Sequence, residues 1–275
     1  MHPVNEPLLP NAFILGAQKA GTTWLAKLLS AHPDVDLGLT KEAHCFNREE
    51  RASDFEQFYS RHFEGSTAKV RLDATPNYLC DPDVPNKLAA ACPDATLILS
   101  LRNPVDRVVS ALSHGVAQGW FPMGVHSSDY VGRLLDGEDD ERLILSFSDY
   151  LPALRKWLEL FPRDRFQFLV FEEDVSDTQV QTLERSMDHL SLDREAFDWD
   201  ESKFRSPNPT PKSSVGSYLA RYLPGGGRLA AVVDRVSPAS NSLRSVDERR
   251  LVEHFAADRA EIEKILGRSL SHWQS

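Results

Sequence analysis

The sequence predicts an α/β protein with a central, mostly parallel β-sheet flanked by helices. Three observations carry this expectation. Apolar runs of strand length alternate with stretches of helical periodicity along the 275 residues, which is the pattern of strand–helix–strand units. "ATLILSLRNP" (95–104) is the strongest strand, and proline then opens a long helical stretch. "AFIL" (12–15) runs through a glycine loop into a second helical stretch. Both strands therefore deliver polar residues to the edge where parallel sheets hold their ligands.

Taken in order, residues 1–11 carry three prolines and read as an extended lead-in to the strand 12–15. "TTWLAKLLSAH" (22–32) has Trp24, Leu25, Leu28 and Leu29 at helical spacing. A short strand is expected near Val35–Leu37. "SDFEQFYSRHF" (53–63) reads as a helix with Ser53 as N-cap and Phe55, Phe58, Tyr59 and Phe63 on one face. "KVRLDATP" (69–76) is a strand ended by Pro76, and "VPNKLAAACP" is a helix stopped by Pro93. Pro104 suits a first helical turn and opens "VDRVVSALSHGVAQG". Helix 149–162, strand 165–174 and helix 178–190 follow. "SKFRSPNPTPKSS" (202–214), with three prolines, is a long loop of the kind that serves function. One amphipathic helix, 247–267, is expected to close at Gly267.

Length and a 41% hydrophobic fraction suit one large domain or two small ones. A single domain over residues 1–275, led in by 1–11, is the expectation carried forward. No apolar run approaches the ~18–20 residues of a membrane span. "MHPVNEPLLPN" lacks a basic start and an apolar stretch, so no signal peptide is expected and the expected compartment is the cytoplasm. Cys45, Cys80 and Cys92 have no C-x-x-C spacing, which speaks against a disulfide framework or zinc site. No metal requirement is expected; His62, His114 and His126 are scattered and read as structural or exposed. The net charge of −10 argues against general nucleic-acid binding. It does not forbid an anionic ligand, because a local pocket on an acidic protein can be positive.

Two stretches carry chemistry. In "GAQKAGTTW" (16–24), Gly16 and Gly21 permit a tight turn and close backbone approach. The helix starting near Thr22 offers unpaired N–H groups and a positive dipole end to an anion. Thr22 and Thr23 add hydroxyls, and Lys19 adds a full charge. A nucleoside-triphosphate loop instead carries Lys beside Ser or Thr after its last glycine, and it wants an aspartate at a strand end for magnesium. Asp73 ends a strand here but gives no independent support to that reading. The bland alternative is an ordinary strand–turn–helix with a solvated lysine. In "LRNPVDRVVS" (101–110), Arg102 ends the strongest strand and Ser110 lies on the next helix, which suits an arginine clamp on a phosphate completed by a hydroxyl. The alternative is a salt bridge of Arg102 or Arg107 to Asp106, with Ser110 merely packed.

Together these stretches resemble sulfotransferases that use 3′-phosphoadenosine-5′-phosphosulfate (PAPS). "QKAGTTWL" is similar to the family's 5′-phosphosulfate loop, and "LRNPVDRVVSALSH" to its 3′-phosphate motif, an arginine followed eight residues later by serine. "KEAHCFN" (41–47) is similar to the segment after the first helix in carbohydrate-type members such as heparan sulfate sulfotransferases. "LDATPNYL" (72–79) resembles the family's "EKTPxY", with Ala74 where a lysine is common. "NPTPKSS" and "LGRSLSHW" resemble bacterial members.

The resemblance implies a P-loop-like three-layer fold and PAPS as co-substrate, with no metal. It assigns Lys19 to the leaving 5′-phosphate and the backbone of Ala20, Gly21, Thr22, Thr23 and Trp24 to its cradle. Arg102 and Ser110 would take the 3′-phosphate, and Lys212 would add a closing contact. Glu42 would be the general base, and His44 would assist it or hold the acceptor. Being two apart, both would face the same way in extended chain. Taken alone, Glu42 also reads as a solvated carboxylate and His44 as a histidine packed beside Phe46. The acceptor is expected to be a carbohydrate or small-metabolite hydroxyl, lined by loops such as 115–140 and 200–215. A P-loop small-molecule kinase and a non-catalytic nucleotide-binding protein of the same fold remain the alternatives.

Overall fold

The computed structural model describes residues 7–118, 120, 127–199 and 243–274. The chain divides into two compact units, Met1–Arg102 with Tyr150–Ser206, and Asn103–Asp149 with Pro207–Ser275.

The first unit holds the sheet. Its strands are β1 (Ala12–Gly16), β2 (Val35–Asp36), β3 (Val70–Asp73), β4 (Thr96–Leu101) and β5 (Phe166–Val170). They lie in the order β2-β3-β1-β4-β5, and every neighbouring pair is parallel. β1 is buried throughout because it has a strand on either side and helices over the sheet, which is what its unbroken apolar run requires. Helix α1 (Thr22–Leu29) buries Trp24, Leu25, Leu28 and Leu29. These join Ile14, Leu72, Ile98 and Leu169 of the sheet in one core cluster. The helical segments α2 (Glu49–Ala52), α3 (Phe55–His62), α4 (Val84–Ala91), α7 (Tyr150–Leu160) and α8 (Gln179–His189) complete this unit.

The second unit is helical where described. It contains α5 (Pro104–Ala117), α6 (Ser127–Leu135), α9 (Ser245–Ala256) and α10 (Arg259–Leu266). Its core joins Val108 and Leu112 of α5, Val131 and Leu134 of α6, and Leu251 and Phe255 of α9. Asn103 caps α5 by accepting from the Val105 N–H at 3.0 Å, with Pro104 at the first helical position. Arg107 is fully buried and donates to Ser148 Oγ at 2.5 Å and to the Ile144 carbonyl.

Several boundaries differ from expectation for local reasons. α1 ends at Leu29 rather than His32. The His32 ring accepts from the Asp34 N–H at 3.0 Å and lies 2.8 Å from the Asp193 carbonyl, so it serves the following turn. Ser53 does not cap α3; it closes α2, and Asp54 stands at the N-cap position of α3. β5 stops at Val170, not 174, because the Asp174 carboxylate accepts the Val170 N–H at 2.7 Å. The chain then coils through a wide helical turn, Phe171–Asp177. The terminal helix is two helices, and the Asp258 carbonyl starts the second by accepting from Ile262 N–H at 3.0 Å. Gly267 closes it in the left-handed conformation, φ 72°. Cys45, Cys80 and Cys92 are not joined in disulfides.

Candidate active site

The site is built at the C-terminal ends of β1, β3, β4 and β5. β1 ends in Gly16 at φ 145°, where a Cβ would lie 2.5 Å from the Pro76 carbonyl oxygen. Only glycine lets the chain leave the sheet there. The Ala17 N–H donates to the Ser100 carbonyl at 2.6 Å and Ser100 Oγ donates to the Ala20 carbonyl at 2.6 Å, so β4 clamps the loop at both ends. Lys19 adopts a left-handed conformation, φ 73°, at the loop's apex. Gly21, φ 82°, sits at the N-cap position of α1, and a Cβ there would lie 2.8 Å from Val175 Cγ1.

The first i→i−4 hydrogen bond of α1 runs from Leu25 to Gly21 at 3.1 Å. The N–H groups of Thr22, Thr23 and Trp24 precede it and form the positive end of the helix. Arg102 stands beside this loop. Its Nη1 donates to the Lys19 carbonyl at 3.2 Å, its Cζ lies 4.7 Å from the centroid of Phe171, and its own carbonyl accepts from Tyr150 Oη at 3.1 Å. The buried Nε of Arg102 has no hydrogen-bond partner among the described residues, nor has the indole nitrogen of Trp24. A buried donor left unpaired costs about 1–3 kcal/mol. An orphaned guanidinium N–H beside a helix N-terminus therefore fits an anion, and the residues present suit a phosphorylated nucleotide.

Glu42 and His44 do meet, although not through extended chain. His44 has φ 51°, and this turn brings its Nε2 to 3.3 Å from Glu42 Oε2. Asn47 Nδ2 lies 3.3 Å from the other ring nitrogen. Lys41, which the sequence reading left without a role, has its Nζ 2.6 Å from Glu42 Oε1 and 3.3 Å from Thr23 Oγ1. It thus links the carboxylate to the first turn of α1. Burial pushes the Glu42 carboxyl up, but hydrogen bonds from His44 and Lys41, with the charges of both, outweigh it and hold the group at about 2. Position 74 is filled by a fully buried alanine whose N–H donates to the Lys41 carbonyl at 3.0 Å.

Ser110 is half-buried on α5 in the second unit, whereas Arg102 belongs to the first, so their pairing rests on the sequence motif. Lys212 lies outside the described residues. Asp73 is fully buried and accepts from Tyr59 Oη at 2.8 Å, Tyr78 Oη at 3.0 Å and Thr75 Oγ1 at 2.6 Å. That carboxylate is consumed inside the protein, and the kinase reading loses its strand-end aspartate. Among the described residues no group of three or more His, Cys, Asp or Glu side chains converges as a metal site, and no helix is long and apolar enough to cross a membrane. A cleft of about 270 Å³ lies between Leu39 and the α2–α3 region, lined by Arg51, Asp54, Phe58 and Arg61. Arg51 also donates to the Ala43 carbonyl, next to Glu42.

Comparison with known proteins identifies the family and the fold. Residues 9–194 match the family described as "Sulfotransferase domain". Human heparan sulfate glucosamine 3-O-sulfotransferase 6 is 30% identical over 193 residues, covering 69% of this chain and 54% of the relative. Mouse heparan sulfate glucosamine 3-O-sulfotransferase 3A1 is 29% identical over 188 residues, covering 68% of this chain and 47% of the relative. The chain thus spans about half the length of these curated relatives. The crystal structure of a sulfotransferase from Alicyclobacillus acidocaldarius shares the fold, with a TM-score of 0.70 at 24% identity, over 97% of this chain and 99% of that one. The chain belongs to the sulfotransferase domain family.

Proposed function

We propose that this chain transfers a sulfuryl group from PAPS to a hydroxyl of a carbohydrate acceptor, with Glu42 as general base. The observation that carries the reading is the junction of two sites: a carboxylate set between Lys41 and His44, joined through Lys41 to the helix N-terminus that would hold the donor. When bound, PAPS supplies an activated sulfuryl group on a good leaving phosphate. The protein's part is alignment and charge stabilisation. Lys19 and the N–H groups of Thr22, Thr23 and Trp24 hold the 5′-phosphate side. Arg102, by its motif with Ser110, takes the 3′-phosphate.

Glu42 is ionised across the physiological range, as a base must be, but a carboxylate held at about 2 is weakly basic. Lys41 reaches both Glu42 and Thr23. A shift of its ammonium toward an anion at the start of α1 therefore frees the carboxylate to take the hydroxyl proton. The carbohydrate class rests on the similarity to heparan sulfate glucosamine 3-O-sulfotransferases.

The test is transfer of radiolabelled sulfate from PAPS to a panel of heparan-type oligosaccharides, neutral sugars and phenols. Label on an oligosaccharide, lost in Lys19→Ala, is the expected result. Label on phenols alone would overturn the acceptor class, and no label on any acceptor would favour a nucleotide-binding protein without turnover.

A further inference from the structure

The segment that carries Glu42 and His44 belongs to no helix or strand. Its backbone must find hydrogen-bond partners elsewhere, because buried N–H groups are not left unpaired without cost. Four consecutive N–H groups find them in one cluster of side chains at the end of β3. Ala43 N–H donates to Asp73 Oδ1 at 3.4 Å, and His44 N–H to Thr75 Oγ1 at 3.1 Å. Cys45 and Phe46 N–H groups both donate to Tyr78 Oη, at 2.7 and 3.2 Å. The cluster is closed on itself: Asp73 accepts from the hydroxyls of Thr75, Tyr78 and Tyr59. Asp73, Thr75, Tyr59 and Tyr78 are fully buried.

We propose that Asp73, Thr75 and Tyr78 are positioning residues that set the distance between Glu42 and His44 by fixing the backbone of residues 43–46. Their spacing follows from the fold. Asp73 is the last residue of β3, Thr75 turns its hydroxyl back onto that carboxylate, and Tyr78 reaches it from the turn beyond. The Thr75 and Tyr78 hydroxyls each donate to Asp73 and accept from the segment, so the orientation of both O–H groups is fixed by the carboxylate. Burial and the nearby Asp73 charge push both tyrosine hydroxyls well above their ordinary range, which keeps them protonated as donors. The left-handed His44 backbone is unfavourable for a residue with a Cβ, and the bond from its N–H to Thr75 holds it there. The cluster acts through the segment to which it is bonded.

The inference rests on the proposed transfer reaction for its kinetic consequence, but it has a readout of its own. Thr75→Val removes the hydroxyl at nearly constant volume, Thr75→Ser restores it, and Tyr78→Phe removes the other acceptor. Misplacement of reacting groups by about 1 Å costs on the order of 10²-fold in rate. Thr75→Val and Tyr78→Phe are expected to lower kcat by tenfold to that limit, with the affinity for 3′,5′-adenosine bisphosphate unchanged and Thr75→Ser close to wild type. Independently of turnover, the Glu42 carboxyl followed by carbon NMR should titrate near 2 in the wild type and move toward its ordinary value of 4.5 in both variants. If the wild type transfers to no acceptor but Glu42 still shifts in the variants, the positioning role stands and the transfer reading fails. Folded Thr75→Val and Tyr78→Phe proteins with an unmoved Glu42 titration would overturn the positioning role, as would Thr75→Ser failing to restore it.

Discussion

Replacing Glu42 with glutamine is expected to lower kcat by about 10²–10⁴-fold, the usual worth of a positioned general base. Affinity for 3′,5′-adenosine bisphosphate should stay within experimental error. The carboxylate reaches the donor helix through Lys41 rather than directly. Glu42 is bonded to Lys41 and His44, whereas the donor loop is held by Gly16, Gly21, Ser100 and Arg102. Glutamine keeps the size and can still hydrogen-bond, so the segment persists while the proton acceptor is gone. Steady-state kinetics beside bisphosphate titration checks both halves. A variant with wild-type kcat would remove Glu42 from the mechanism and pass the role to His44.

Lys41→Met should have the next largest effect, and it changes the pH profile as well as the rate. Losing a cation next to the reacting group costs roughly 10²-fold. The Glu42 carboxyl, freed from one of its two partners, should rise from about 2 toward 4.5, and the acid limb of kcat/KM should rise with it. Stability follows the same sign. Because the folded carboxyl is more acidic than the unfolded one, its contribution is complete above about 4.5 and is lost as pH falls through about 2. Lys41→Met should therefore shrink the stability difference between pH 5 and pH 3. An acid limb that stays in place in the variant would show that Lys41 does not govern Glu42.

The sheet and the donor loop were legible because their signals are local. A continuous apolar run buried on both faces, a glycine that must leave the sheet, and a threonine pair at a helix start each announce themselves within a few residues. Phe13, Ile14, Ile98 and Leu99 occupy the core as the strand pattern requires. Arg102 was visible too, since it ends the strongest strand. Long-range partners were not. Lys41 read only as part of a motif, because its reach to Thr23 depends on where the 41–47 segment folds back. Asp73 and Tyr78 stood in a family-like stretch, but their hold on residues 43–46 gave no signal because it spans about thirty positions of chain. The meeting of Glu42 and His44 was foreseen for the wrong geometric reason: extended alternation, where the structure uses a left-handed turn at His44.

The most direct measurement is thermal stabilisation by 3′,5′-adenosine bisphosphate against ADP and Mg-ATP, with Lys19→Ala and Arg102→Ala alongside. A ligand at 100 times its dissociation constant adds about 2.7 kcal/mol. Stabilisation of that size by the bisphosphate alone, and its loss in both variants, is the expected result. Equal stabilisation by ADP, or a magnesium-dependent response to ATP, would contradict the sulfotransferase donor site and favour a kinase.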